Sequence, residues 1–144
     1  MALCIGALLV AACGAVPNDN SPVTSAKAVQ VNVSRSAALA RVTSNTVEFK
    51  RIDRIEAKLT SWSSYKTALG DRGVLGGVSI APSELVWVVA VGGDIRPAYA
   101  APGSDYSWGE LSMNSDSGTA IEFDSGNGSS WPPGFDGITD LGSP

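Results

Sequence analysis

The spacing of hydrophobic and polar positions changes several times along this chain, most sharply past its midpoint. Leu85-Val86-Trp87-Val88-Val89-Ala90-Val91 is an unbroken apolar run that ends at Gly92-Gly93. A short apolar run of this kind predicts a strand covered on both faces. A helix on one side and loops on the other would suffice. Tyr106 to Met113 forms a second run and Thr119 to Asp124 a third, joined by Asn114-Ser115-Asp116-Ser117-Gly118. Two runs around a polar turn that ends in glycine predict an antiparallel hairpin. Gly118 then closes the turn at a positive φ, which glycine adopts without steric cost.

Upstream the pattern is mixed. Val29, Val31 and Val33 alternate with Gln30 and Asn32, a brief two-residue period. Ser34 or Ser36 can cap a helix over 34–44 that stops at Asn45. Between Val47 and Leu69 two periods compete. Phe49, Ile52, Ile55, Leu59 and Trp62 lie three and four apart, as on an amphipathic helix. Val47, Phe49, Ile55, Ala57 and Leu59 also fit a strand, with Arg51 and Asp53 breaking the alternation. On that second reading Ser61 or Ser63 caps a short helix over Tyr65–Leu69, with Gly70 behind it.

Downstream, Asp71–Gly77 reads as a Gly-rich connection and Asp94–Asp105 as a long loop. Ser125–Ser130 reads as a mobile loop in which Gly126 should tolerate substitution. Pro132 and Pro133 forbid a central strand. Trp131, Phe135 and Ile138 are expected to fold back over the sheet as an apolar clasp.

The first residues have a different character. The apolar run to Ala12 is far shorter than the ~20 residues a spanning helix needs, and it matches the hydrophobic region of a signal peptide. Val10-Ala11-Ala12-Cys13 resembles the lipobox of bacterial lipoproteins, whose Cys becomes the lipidated first residue of the mature chain. The resemblance implies a signal peptide over 1–12, lipidation at Cys13, a tether over 13–24 and a place on the outer face of a membrane in the bacterial envelope. The chain departs from that pattern in having no Lys or Arg ahead of the apolar run. A secretory signal cleaved near Ala15 is the alternative.

Composition narrows the chemistry. The 144 residues are 44% apolar and 17% charged, which suits one globular domain over about 25–144. There is no His, and the two Cys, Cys4 and Cys13, both lie in the first thirteen residues. A Ser-His-Asp triad, a His metal site and, after processing, thiol nucleophiles and thiolate zinc sites are all excluded. The Gly-rich loop lacks the Lys-Ser/Thr ending of a phosphate loop, and no cofactor motif is present. All ten Lys and Arg lie between Lys27 and Arg96, whereas seven acidic residues and no basic one follow Pro97. That acidic third would repel nucleic acid.

A few candidates survive. Glu110, Asp116, Glu122 and Asp124 could supply a carboxylate pair for a hydrolase. Ser63 and Lys66 match Ser-x-x-Lys by letters, without the supporting context. Asp124–Ser129 loosely resembles half of an EF-hand loop, but Gly occupies its third and fifth positions and no Glu lies at its twelfth. Trp108 and Trp131, if exposed, could form a platform for carbohydrate.

Leu85-Val86-Trp87-Val88-Val89-Ala90-Val91-x-Gly93, followed by Met113-Asn114-Ser115-Asp116-Ser117-Gly118, resembles the PepSY-type module of secreted bacterial proteins. Asn114 stands for that family's Asp and Ser117 for its Thr. The resemblance implies an α+β domain, with a helix on an antiparallel sheet of three to four strands. It favours a strand through about Leu59 followed by a short helix. It also implies a non-catalytic, extracytoplasmic role without cofactor or metal, by interaction with an envelope protein, with peptidase inhibition as the suggested form.

Overall fold

The computed structural model describes residues 31–45, 47–70, 79–97 and 101–142. They form helix α1 (Arg35–Asn45), strand β1 (Val47–Ser61), helix α2 (Trp62–Leu69), strands β2 (Leu85–Pro97), β3 (Tyr106–Asn114) and β4 (Ala120–Gly126), and a 3-10 turn at Phe135–Gly137. The strands pair antiparallel in the order β1-β2-β3-β4. The fold is α+β, as expected.

Each element begins and ends for a local reason. Ser34 caps α1, its Oγ accepting from Ala37 N at 3.2 Å. Ala38 and Val42, one turn apart, are the buried face of α1. Ser61 caps α2 by accepting from Ser64 N, and Gly70 ends it at φ 59°. β1 is a strand rather than a helix. Its two breaks in alternation coincide with two register irregularities, between Phe49 and Arg51 and between Ile52 and Arg54. Each inserts one unpaired residue, so Phe49 and the Ile55-Ala57-Leu59 set still face the same core.

β2 is the centre of the molecule. Trp87, Val89 and Val91 pack on one face with Ala38 and Val42 of α1. Val86, Val88 and Ala90 pack on the other with Tyr65 and Leu69 of α2 and with Phe135 and Ile138. Fully burying such a side chain stabilises by about 1.5–3 kcal/mol, so a strand apolar on both faces needs both covers.

The loop expected over Asp94–Asp105 starts later than its prolines suggest. β2 continues to Pro97, paired with Val47. The strand bends there, with a register irregularity between Gly92 and Ile95 and Gly93 at φ 147°, where the Arg51 carbonyl leaves no room for a Cβ.

The clasp forms as expected. Phe135 is fully buried and Ile138 is 5% exposed. Lys58 Nζ holds the clasp by donating to the carbonyls of Phe135, Asp136 and Ile138 at 3.0, 3.1 and 3.1 Å. Asp140 accepts from Arg35 at 2.7 Å and from Leu59 N at 3.1 Å. Leu141 N then donates to Leu59 O at 2.7 Å. This stretch of the outer edge of β1 is therefore occupied by Asp140 and Leu141, which blunts it against foreign strands.

Gly126 does not lie in a mobile loop. It is the last residue of β4, and the Trp108 ring lies where its Cβ would go. Cys13, the signal peptide over 1–12, the tether over 13–24 and the Gly-rich loop Asp71–Gly77 lie outside the described residues.

Candidate functional site

Strand pairing brings three of the four candidate carboxylates together. Glu110 of β3 is the cross-strand partner of Asp124 of β4, and Glu122 faces Ser112 two positions along. Tyr65 of α2 donates its hydroxyl to Glu110 at 3.2 Å, and Lys66 donates to Glu122 at 3.3 Å. Burial, and then the charges of Glu110 and Glu122, push the Tyr65 phenol well above its usual range, so it stays protonated and remains the donor. Tyr65 and Ser112 are 0% exposed and Glu110 is 1% exposed, whereas Glu122 and Asp124 are half-buried. The geometry of the group ties α2 to β3 and β4 and closes Glu110 off beneath Tyr65. Asp116 lies apart, on the turn.

The two indoles do not form a platform. Trp108 is only 5% exposed, because Gly126 and the sheet receive its ring. A buried indole cannot stack on sugar. Trp131 is half-buried and already engaged. The Arg54 guanidinium sits 3.8 Å from its ring centroid, and Phe135 meets it edge-on at 5.3 Å. Its Nε1 donates to Asp136 at 3.2 Å.

The remaining candidates also take structural places. Ser63 and Lys66 are not paired, since Ser63 Oγ lies 3.1 Å from Ser61 Oγ while Lys66 turns to Glu122. In the Asp124–Ser129 stretch, Asn127 accepts from Ser107 N at 2.9 Å and donates to Asp105 O at 3.3 Å. That bend is tied to β3.

The most elaborately held exposed feature is the β3–β4 turn. Asn114 Oδ1 accepts from Asp116 N at 3.0 Å, from Ser117 N at 2.8 Å and from Ser117 Oγ at 3.1 Å. Gly118, at φ 67°, donates its N–H to Asn114 O at 2.8 Å. Arg41 reaches over from α1 and donates to Gly118 O at 2.6 Å. Glu84 accepts from Asn114 Nδ2 at 2.6 Å, and Ser115 bridges Leu85 and Val33 through its backbone. Asp116, Ser117, Thr119 and Ala120 are left exposed on this frame. An Asn opening a polar turn is a signal for the Asx bonds. Nothing in the local sequence announces Arg41, which lies 77 positions before Gly118.

Among the described residues no helix is long and apolar enough to cross a membrane. No protein-family model, curated protein or solved structure matches the chain.

Proposed function

We propose that this chain is a non-catalytic, extracytoplasmic domain, anchored to a bacterial envelope membrane through Cys13 and acting by contact with another envelope protein. Inhibition of a peptidase is the specific form that the PepSY resemblance suggests. The observation that carries the interaction reading is the β3–β4 turn. An exposed turn pinned by bonds from α1, β2 and its own Asn114 loses little conformational freedom on binding, which favours recognition by a protein surface. The lipobox-like Val10–Cys13 supports the anchor, since the two or more acyl chains of a lipoprotein hold a domain stably at a membrane. The carboxylate-hydrolase and sugar-platform readings have less support, because Glu110 and Trp108 are buried.

Two measurements test this reading. Intact-mass spectrometry of the chain from a bacterial membrane fraction should find Cys13 at the N-terminus with its diacylglyceryl addition. A free N-terminus after Ala15 overturns the anchor. A photoreactive amino acid placed in turn at exposed Ser36, Ser117 and Asn127 should cross-link an identifiable envelope protein from at least one site. Absence of a specific adduct from all three overturns the interaction reading.

A further inference from the structure

We propose that the β3–β4 turn is the docking surface itself, and that its partner is a protein segment presenting a Lys or Arg side chain to Asp116, flanked by apolar residues. This rests on the interaction reading above.

The charge argument comes first. Asp116 is exposed, and no cation among the described residues pairs with it. Each described cation is engaged elsewhere. Arg35 is on Asp140, Lys50 and Arg96 on Asp105, Arg51 on Asp53, Arg54 on Glu56 and Asp136, and Lys66 on Glu122. Arg41 and Lys58 donate to carbonyls. The chain from Pro97 onward has no basic residue of its own to offer. Among the described residues Asp116 is thus open to a cation from a partner, and a basic partner is the one its charge suits.

Shape adds the apolar part. Open grooves flank the turn on both sides and share Thr119 and Ala120 as their common wall. One, of about 510 Å³, includes Leu111 and Met113 in its lining, with Arg41 at its side. The other, of about 400 Å³, includes Ile80, Glu84 and Ile121. A partner that straddles the turn can seat an apolar side chain in each groove and bring a cation over Asp116. The hydroxyls of Ser117 and Thr119 sit next to that position, bonded to one another at 2.9 Å.

The test uses the full chain, immobilised and panned against a phage-displayed random dodecapeptide library. Recovered peptides are then synthesised and their affinities measured in solution. The expected peptides carry Lys or Arg between apolar residues. Asp116→Asn should weaken them about two- to fivefold, as loss of an exposed charge pair does. Asp116→Lys should abolish binding, and the Asp116 effect should shrink between about 50 and 500 mM salt. Ala120→Trp, which fills the shared wall, should also abolish binding. Asp94→Asn, an exposed carboxylate eight positions along β2 from the partner of Asn114, should change nothing. Peptides unaffected by both Asp116→Lys and Ala120→Trp would place binding elsewhere. That result overturns this surface while leaving the interaction reading intact. Peptides without basic residues, or none above background, would also overturn it. Unchanged denaturant melts of the Asp116 variants would rule out misfolding as the cause of a loss.

Discussion

Gly118 provides a quantitative test of how the turn is built. Its φ of 67° lies in the left-handed region, where a residue with a Cβ loses about 1–2 kcal/mol. A Cβ there would also sit 2.6 Å from Cζ of Arg41, whose guanidinium is bonded to Gly118 O. Displacing that guanidinium forfeits a charge-assisted hydrogen bond, a further ~1.5 kcal/mol or more. Gly118→Val should therefore destabilise by about 2–4 kcal/mol, and Gly118→Asn by clearly less, because Asn tolerates the left-handed region. The two contributions separate in an Arg41→Ala background. There the clash and the bond are already gone, and Gly118→Ala should retain only the backbone part, about 1–2 kcal/mol. The assay is urea unfolding followed by Trp fluorescence, with constant slopes as the check on two-state behaviour. If Ala and Val at 118 both cost less than about 0.5 kcal/mol in either background, the turn is not held as described. Strain in a left-handed backbone and the Arg41 contact would then both be wrong as its explanation.

Further outcomes follow from the same contacts. Gly126→Val should cost about 1–3 kcal/mol in the same melts, because its side chain must push the buried Trp108 ring aside; a neutral result would show that the ring has room to move. Lys58→Met should cost about 2–3 kcal/mol and loosen the clasp, seen as faster hydrogen exchange over Phe135–Leu141, since one ammonium holds three carbonyls there. Desolvation opposes ionisation of Asp140, but the bonds from Arg35, Gly142 N and Leu59 N outweigh it and hold the carboxyl below its ordinary range. A folded-state value below the unfolded one contributes stability that is present above about pH 4 and is lost as the pH falls through the depressed value. Asp140→Asn should remove that acid-limb dependence, so the stability curves of the two proteins converge at low pH. Curves that stay parallel from pH 6 to pH 2 would refute the assignment.

Much of the architecture was legible in the order of residues, because the signals involved are short in range. The apolar run Leu85–Val91 requires cover on both faces. Ser34, Ser61 and Gly70 stop and start helices through bonds to residues three or four positions away. Asn114 and Gly118 make the turn from their own side chain and backbone. Even the choice at Val47–Ser61 had a sequence trace. Arg51 and Asp53 look like errors in alternation, and they mark the place where unpaired residues enter the strand.

Everything that depended on distant parts of the chain meeting in space was hidden. Trp108 and Trp131 read as a pair of exposed rings until Gly126 received one and Arg54 covered the other. Glu110, Glu122 and Asp124 looked like available carboxylates. The pairing of β3 with β4 under α2 closed Glu110 beneath Tyr65 and gave Glu122 to Lys66. Asp116, spaced along the chain much as those three are, was the one carried outward, because the turn lifts it off the sheet. Periodicity records which face a residue takes on its own element. Burial, ion pairing and reach are set by neighbours that the chain brings in from dozens of positions away, so only the packed structure separates a held carboxylate from a free one.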